Sequence, residues 1–419
     1  MASTGGRAPA SRSSGSSGQL GSGGRRGDGN IGGGGGGGGG AAMDASGSAP
    51  PLEVNGGPPS KTAAKLSKML PEGCSPGVIG ECDYDSTSAD YYFNSYAHFG
   101  MYVAWVGRGG GSEQMLKDRT RTLAYMRAIM ENPHLFAGKT VLDVGCGTGV
   151  LSMFACKAGA KKVYAVECSK IVDQAREIVK RNHYDDVIEI IEGKMEEVPL
   201  PEPVDIIISE WMGYFLFYES MLDSVLYARD KWLTPGGLIF PDKATLYVCA
   251  IEDAVYKKDK IDFWENVYGF DMSCIKNLAL TEPLVDEVDA EQVMSDIVPV
   301  LQVDVATVTK EQLCFAVPFT LTAARTDFVH AIVSFFDVSF THCHKPVVLS
   351  TGPYTHATHW KQTVLYLDRA LAMDVGETMS GTLACRPNAK NPRDLDVAAS
   401  YTFSGRNGTF SNLLRYRLR

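Results

Sequence analysis

The sequence lacks paired cysteines, long apolar runs and any excess of positive charge. Its ten cysteines are scattered singly without a CxxC pair, which predicts a reduced intracellular protein with neither disulfides nor a zinc site. No stretch is apolar enough to span a membrane, and the amino terminus carries no charged-then-apolar signal, so no membrane partner is expected. The formal net charge of -9 disfavours nucleic acid as the primary ligand and favours basic partners.

One short segment has the composition of a metal site. His342 and His344 flank Cys343. Without further ligands, two histidines spaced in this way are more typical of a polar strand end. The sequence therefore predicts no bound metal.

The amino-terminal 60 residues contain little that could form a core. They hold 21 of the 44 glycines, including an unbroken run over residues 32–40. Because such a segment buries almost no apolar surface, conformational entropy favours the unfolded chain, and we expect a disordered tail over residues 1–84. Beyond it, Tyr92 and Tyr96 stand at helical spacing. They predict either core packing or a lid over a cofactor.

A glycine-rich turn follows the first strongly predicted strand. The strand, residues 140–144, leads into Gly145-Cys146-Gly147-Thr148-Gly149, and a helical pattern begins after it. A turn of this kind lets a nucleotide-type ligand approach the backbone closely. A dinucleotide site requires glycine at the first, third and sixth positions, but the sixth position here is Val150. The GxGxG spacing therefore favours S-adenosylmethionine (AdoMet) over NAD.

Acidic residues follow the next two predicted strands. Glu167 ends the second strand, where an acid binds ribose hydroxyls in NAD and AdoMet folds alike. The third strand leads to Glu196, at a point where it would meet an adenine edge. Because ligands of open parallel sheets lie beyond the carboxyl ends of the strands, we expect these residues to share one crevice.

Two more acids, Glu210 and Glu219, stand nine positions apart after a fourth apolar strand. On a continuous helix or strand they would face opposite ways, so they converge only if the segment folds back at Gly213. Carboxylates among aromatic rings suit a planar cation with several N–H donors, such as a guanidinium. The alternative is that Glu219 only complements the dipole of the next helix and that Glu210 is a solvated loop residue.

The second half of the chain has a different periodicity. From Ala244 onward, successive period-two runs predict an antiparallel sandwich or barrel. Residues 253–288 interrupt these runs with a helical, aromatic pattern that is more typical of an arm reaching another subunit. His359 lies between two predicted strands, where it could reach a carboxylate. We therefore expect an AdoMet-binding domain over residues 85–242 and a second domain over residues 243–419.

Taken together, these motifs resemble the type I protein arginine N-methyltransferases. The resemblance implies an α/β fold with a Rossmann-like AdoMet-dependent methyltransferase domain and N-terminal lid helices, followed by an antiparallel β-barrel domain with a helical dimerisation arm. It covers residues 85–419. The motifs that carry it are YFNSY (92–96), VLDVGCGTG (141–149), AVECS (165–169), SEWMGYFLFYES (209–220) and THW (358–360).

The resemblance also implies roles for individual residues. Arg121 would hold the AdoMet carboxylate, and Glu210 and Glu219 would bind the substrate guanidinium with the catalytic His359 nearby. Methionines in the pocket would direct a second methyl group to the same nitrogen. The other cofactor-binding residues would be Asp143, Gly145, Gly147, Glu167 and Glu196, and those of the substrate pocket Tyr92, Tyr96, Met115, Met212, Met221 and Trp360, with Met115 and Met221 as the directing methionines.

The implied activity is methylation of arginine in glycine-arginine-rich RNA-binding proteins and histone tails, giving monomethylarginine and asymmetric dimethylarginine. The enzyme would be a homodimer or higher oligomer in the nucleus and cytoplasm.

One departure from the family is an insertion at residues 101–111, after which Ser112 replaces a histidine that contacts AdoMet in the family. An insertion that impaired the site would leave a non-catalytic scaffold. A methyltransferase for small molecules or nucleic acid fits the paired acids and the acidic charge less well.

Overall fold

The structure, a computed structural model, describes residues 65–66, 68–70 and 115–419. The two tyrosines of the predicted lid, Tyr92 and Tyr96, lie outside the described residues, as do the insertion and most of the predicted tail. Among the helices of the described residues, none is both long and apolar enough to cross a membrane.

A five-stranded parallel sheet forms the centre of the first domain. Its strands are β1 (Thr140–Val144), β2 (Lys162–Glu167), β3 (Ile188–Glu192), β4 (Val204–Ser209) and β5 (Leu233–Phe240). They lie in the order β3-β2-β1-β4-β5 and run parallel. All five residues of β1 are buried, as expected for a strand that is covered on both faces. The alternation of strands and helices thus forms the predicted Rossmann-like sheet.

Of the helices named here, two precede β1 and the other three follow β1, β2 and β4. The first helix follows its N-cap residue Asp118, whose side chain accepts a hydrogen bond from the backbone N–H of Arg121. The third begins directly after the glycine-rich turn. The helices are α1 (Arg119–Met130), α2 (Pro133–Phe136), α3 (Val150–Lys157), α4 (Val172–Arg181) and α5 (Leu222–Trp232).

The strand order reverses between β1 and β4. Their last residues, Val144 and Ser209, are paired in register, and the Ser209 hydroxyl donates to the Val144 carbonyl at 2.9 Å. The two loops that begin at Gly145 and Glu210 therefore leave the sheet side by side. This is the switch point at which open α/β sheets bind ligands, and residues of both loops, Gly145 and Glu210, line one cavity there.

Two antiparallel sheets form the second domain and share its core. A hydrogen bond joins them where the Tyr416 hydroxyl donates to the Tyr366 carbonyl at 2.9 Å. One sheet has the order β7-β12-β10-β6-β8 with β11 paired to β10, and the other β15-β14-β13-β9. The strands are β6 (Lys243–Ile251), β7 (Leu284–Asp286), β8 (Val298–Asp304), β9 (Phe315–Thr322), β10 (Asp327–Phe340), β11 (Val347–Ser350), β12 (Gln362–Met373), β13 (Thr378–Pro387), β14 (Leu395–Gly405) and β15 (Gly408–Leu418).

An arm of short helices leaves this domain between β6 and β7. It exposes large apolar side chains, of which Tyr268 is 96% and Phe270 68% exposed. Its last residues were expected to be helical, but Leu284–Asp286 form a strand because they pair with β12. The helical pieces are α6 (Ala254–Tyr256), a π-helical turn (Lys257–Ile261), a 3-10 turn (Asp262–Glu265) and α7 (Ser273–Ala279), and two further 3-10 turns follow at Ala290–Gln292 and Lys310–Leu313.

A short segment of the predicted tail is ordered. Residues 65–66 and 68–69 are helical, and Leu66, Met69 and Leu70 are buried against small residues of β13 and β14. The Arg415 guanidinium donates to the Met69 carbonyl at 3.0 Å. The glycine count of the tail did not reveal this segment, because its apolar residues at helical spacing lie outside the glycine-rich part.

This packing predicts that Leu70→Ala destabilises the protein by about 2 kcal/mol, since a large side chain that is 98% buried would leave a cavity. Chemical denaturation monitored by circular dichroism measures the change. Lys68→Ala, at an exposed position of the same turn, is the matched control. Equal stabilities of the two variants would contradict the packing.

Candidate active site

A cavity of about 390 Å³ lies at the carboxyl edge of the parallel sheet. Its walls come from the glycine-rich turn, the end of β2, the start of α1 and the loop after β4. Its volume lies within the range of small-molecule sites. Eight predicted site residues line it: Met115, Arg121, Gly145, Gly147, Glu167, Glu196, Glu210 and Met221.

The glycine-rich turn adopts a backbone that favours glycine. Gly145, Gly147 and Gly149 have φ values of +73°, +54° and +81°. The Gly147 N–H donates to a carboxylate oxygen of Glu167 at 2.9 Å, and the Ser169 N–H donates to the other at 2.8 Å. These bonds orient the Glu167 carboxylate at the cavity wall.

Asp143 lies behind this turn. It is 1% exposed and is absent from the lining of the cavity. The Ser152 hydroxyl donates to its Oδ2 at 2.6 Å, whereas its Oδ1 is buried without a hydrogen-bond partner among the described residues. Burial raises the pKa of Asp143 to about 6, against the opposing effect of Ser152. That Asp143 binds the cofactor therefore stays a prediction, because its side chain does not line the cavity.

Glu196 follows β3, as the sequence indicates. The Ser224 hydroxyl donates to its carboxylate at 2.5 Å, and the Tyr227 hydroxyl donates to its backbone carbonyl at 2.9 Å. Both partners belong to α5. The helix therefore fixes Glu196 at the wall of the cavity.

The segment after β4 folds back as a hairpin-like loop. The Met221 N–H donates to the Trp211 carbonyl at 2.8 Å, so the two ends of the loop are adjacent. At the turn, a Cβ on Gly213 would lie 1.6 Å from the Tyr218 carbonyl oxygen, which only glycine avoids. Glu219 itself has a φ of +54°. A non-glycine residue in this region is a strained feature of the kind that clusters at functional sites.

Glu210 is paired with Arg121 inside the cavity. Its Oε2 accepts hydrogen bonds from Arg121 Nε at 3.1 Å and from Nη2 at 2.9 Å, and each side chain is 8% exposed. Although burial lowers it, the pKa of Arg121 is raised on balance by the Glu210 carboxylate. Arg121 Nη1 is buried and has no hydrogen-bond partner among the described residues. That donor suits an anionic ligand group.

Glu219 lies at the other end of the loop and is absent from the cavity lining, although Ser220 and Met221 beside it belong to that lining. Its N–H donates to the Arg393 carbonyl at 3.2 Å, and its Oε1 lies 3.8 Å from Arg393 Nη2. Arg393 belongs to the turn between β13 and β14 and itself lines the cavity. Sequence reasoning missed Arg393, because nothing in its neighbourhood marks a residue of the second domain as part of this site.

His359 is paired with Asp118, a second residue that the sequence analysis missed. The Asp118 Oδ2 atom accepts from the His359 N–H at 3.0 Å and lies 2.8 Å from His359 Nδ1. Burial opposes ionisation of Asp118, but the hydrogen bonds from His359 and from the Arg121 N–H lower its pKa. His359 thus connects to the Arg121–Glu210 pair through the cap of α1. Its partner is 241 residues away, so no local sequence pattern marks Asp118 as part of the site.

Trp360 supports the loop after β4 through a contact with Met212. The Trp360 indole N–H donates to the Met212 carbonyl at 3.0 Å, and both side chains are buried. Neither residue lines the cavity, so their place in the substrate pocket stays a prediction. Within the described residues, no group of three or more His, Cys, Asp or Glu side chains is arranged to hold a metal ion.

A doubly wound parallel sheet with a glycine-rich turn and acids at its carboxyl edge defines a nucleotide-type ligand site of the kind used by AdoMet-dependent methyltransferases. Residues 125–225 match the family model of the ribosomal protein L11 methyltransferase, and residues 242–406 match that of the arginine methyltransferase oligomerization subdomain. The first domain and the second domain thus each match a methyltransferase family.

Similar proteins narrow the class to one family. Protein arginine N-methyltransferase 1 of Chlamydomonas reinhardtii is 60% identical over 336 residues, which are 80% of this chain and 94% of that protein. Protein arginine N-methyltransferase 1.1 of Arabidopsis thaliana is 54% identical over 80% of this chain and 84% of its own length. The chain belongs to the protein arginine N-methyltransferase family, among its type I enzymes, and uses AdoMet.

Solved structures agree with the observed fold. The Trypanosoma brucei PRMT1 enzyme–prozyme heterotetrameric complex with AdoHcy is 48% identical, with a TM-score of 0.73, over 78% of this chain and 100% of that chain. Arabidopsis thaliana protein arginine methyltransferase 10 is 31% identical, with a TM-score of 0.67, over 73% and 97% of the two chains. The predicted fold class is confirmed.

The geometry of the turn predicts that Gly145→Ala weakens AdoMet binding at least about tenfold. A Cβ at this position would lie 2.6 Å from Met221 Cε, so it would take up space at the turn and force the end of Met221 to move within the cavity that AdoMet would occupy. Calorimetric titration measures the affinity. Gly138→Ala is the matched control, because Gly138 has a φ of +74° with no atom within 4 Å of the added Cβ. Equal affinities in the two variants would refute the prediction.

The raised pKa of Asp143 predicts a pH-dependent stability. Because the folded state favours the protonated carboxyl, this contribution is complete below pH 3.8 and is lost as the pH rises through about 6. Asp143→Asn, which stays neutral, should therefore gain about 1 kcal/mol in unfolding free energy relative to the unmodified protein between pH 5 and pH 7.5. Urea denaturation at both pH values measures it, with Asp185→Asn as an exposed control. A pH-independent difference would count against this assignment.

Proposed function

We propose that the chain transfers methyl groups from AdoMet to arginines in glycine-arginine-rich RNA-binding proteins and histone tails, giving monomethylarginine and asymmetric dimethylarginine. Arginine N-methyltransferase activity follows from the family. The observation that supports an arginine side chain as the substrate is the loop that holds Glu210 at the cavity and Glu219 beside it. Both acids already contact guanidinium groups of this chain, those of Arg121 and Arg393.

The cavity fits AdoMet in its donors and acceptors. The buried Arg121 Nη1 would receive the carboxylate, the Glu167 carboxylate would bind the ribose hydroxyls, and Glu196 would meet the adenine. The glycine-rich turn leaves room for close approach of the ligand to the backbone. When bound, AdoMet supplies a methyl group on a positively charged sulfur.

The acids would prepare the substrate nitrogen for attack. A guanidinium has a pKa above about 12 and is a poor nucleophile, because its lone pairs are delocalised. Glu210 and Glu219 would orient one nitrogen toward the methyl group and stabilise positive charge on the other nitrogens. The rate gain would come from alignment and from preorganised charge. The proton released after transfer would pass to a glutamate or to His359, which Asp118 orients.

Two methionines support an asymmetric product. Met115 and Met221 both line the cavity, and Met221 Sδ and Cε reach over Gly145. Side chains in these positions would restrict how a monomethylated arginine re-enters, so that the second methyl group is added to the same nitrogen. Mass spectrometry of the product, with fragmentation that separates asymmetric from symmetric dimethylarginine, tests this assignment.

The exposed arm supports an oligomer. Val255, Tyr268 and Phe270 are more than half exposed on a segment within the region that matches an oligomerization subdomain. The Trypanosoma brucei relative is a heterotetramer. We propose a homodimer or higher oligomer for this chain, and a location in the nucleus and cytoplasm stays a prediction. The scaffold alternative is not favoured, because the similar proteins are named protein arginine N-methyltransferases and Glu210 lines the cavity.

The proposal predicts that Glu219→Gln lowers kcat/KM for a glycine-arginine peptide about a hundredfold or more, since a buried charge-assisted pair with the substrate is lost. Transfer of labelled methyl from AdoMet measures the rate. Glu197→Gln, at an exposed position near the cavity, should retain activity. The same peptide with lysine in place of arginine should accept no methyl group. Full activity of Glu219→Gln, or equal transfer to the lysine peptide, would overturn the proposal.

A further inference from the structure

Arg393 offers Glu219 a guanidinium from the chain itself. Its Nη2 lies 3.8 Å from Glu219 Oε1, and the two side chains are 25% and 17% exposed. This separation is close enough for Coulombic attraction but longer than a hydrogen bond. Glu219 Oε1 is buried and accepts no hydrogen bond from the described residues. Glu219 Oε1 thus faces a positive charge without accepting a hydrogen bond from it.

The turn that carries Arg393 is held in place. The Asn388 N–H donates to the Asp394 carbonyl at 2.8 Å, and the Arg393 N–H donates to Asn391 Oδ1 at 3.2 Å. The Arg393 carbonyl in turn accepts the Glu219 N–H. The backbone of the second domain therefore fixes where this guanidinium can lie relative to the loop.

We infer that Arg393 is an internal competitor of the substrate arginine, occupying the Glu219 side of the guanidinium site until substrate displaces it. This inference rests on the proposed role of Glu219. A substrate guanidinium can form two hydrogen bonds with the carboxylate at about 2.7–2.9 Å, which Arg393 does not form at 3.8 Å. When substrate displaces the Arg393 side chain, the two guanidinium charges do not both lie beside Glu219 and the cofactor.

The competition affects every substrate alike. Because Arg393 occupies Glu219 in the same fraction of free enzyme molecules whichever ligand arrives, it raises the KM of every substrate by a common factor. Discrimination comes from Glu219 itself, since a lysine ammonium is a point charge without the planar fork and gains less from the carboxylate.

The inference predicts that Arg393→Gln lowers KM for a glycine-arginine peptide about threefold to tenfold without lowering kcat, since a competitor for Glu219 is removed. Steady-state kinetics on the full chain measure both constants. Arg393→Lys, which keeps the charge, should stay closer to the unmodified KM. Arg386→Gln, on the same hairpin and paired with Asp396, is the control with an unchanged KM.

A purely structural role would give a different result. If Arg393 only held Glu219 in position, Arg393→Gln would lower kcat and raise or preserve KM, and that outcome would overturn the inference. Thermal melting of each variant checks folding. If the melting temperature of Arg393→Gln is lowered, Arg393→Met is used in its place in the same kinetic assay, because methionine keeps the aliphatic part of the side chain.

A second variant separates this inference from the proposed function. In the Glu219→Gln background, Arg393→Gln should have no further effect on KM. If Glu219→Gln alone leaves catalysis intact, the proposed role of Glu219 fails. If Glu219→Gln impairs catalysis but Arg393→Gln leaves KM unchanged, only the inference about Arg393 fails.

Discussion

The ion pair between Arg121 and Glu210 is the interaction on which the site depends. It is almost fully buried, with Nη2 and Oε2 2.9 Å apart. Removing one partner of such a pair is strongly destabilising, because the other charge stays buried without compensation. The pair also joins α1 to the loop after β4. An anion that binds Arg121 and a cation that binds Glu210 would each add to this pair, so one contact connects a cofactor carboxylate with a substrate guanidinium.

The second domain completes this arrangement through three contacts. His359 pairs with the Asp118 cap of α1, Trp360 donates to the Met212 carbonyl, and the Arg393 carbonyl accepts the Glu219 N–H. Each contact supports one part of the first-domain site: the helix that carries Arg121, the base of the folded-back loop, and its far end. The geometry of the two acids therefore depends on residues more than 130 positions away. A catalytic first domain without the second would lack all three supports.

Local patterns predicted the features that local physics determines. The buried strands, the GxGxG turn and the need for the loop to fold back at Gly213 all follow from periodicity, backbone freedom and spacing. The pairings of Asp118 with His359 and of Arg393 with Glu219 could not be predicted, because they depend on how two domains pack. The ligand contacts that the resemblance implies for Asp143, Met212 and Trp360 stay predictions, because these residues do not line the cavity. The ordered turn at Leu66 and Leu70 was missed because overall tail composition outweighed its short apolar pattern.

The central claim is that paired carboxylates bind a planar cation beside the cofactor cavity. Calorimetric titration of a glycine-arginine peptide, and of the same peptide with citrulline in place of arginine, tests it most directly. Citrulline has nearly the same shape but no positive charge. If the claim holds, the arginine peptide binds, and the affinity of the citrulline peptide is lower by a factor of at least about one hundred. Equal affinities would contradict it.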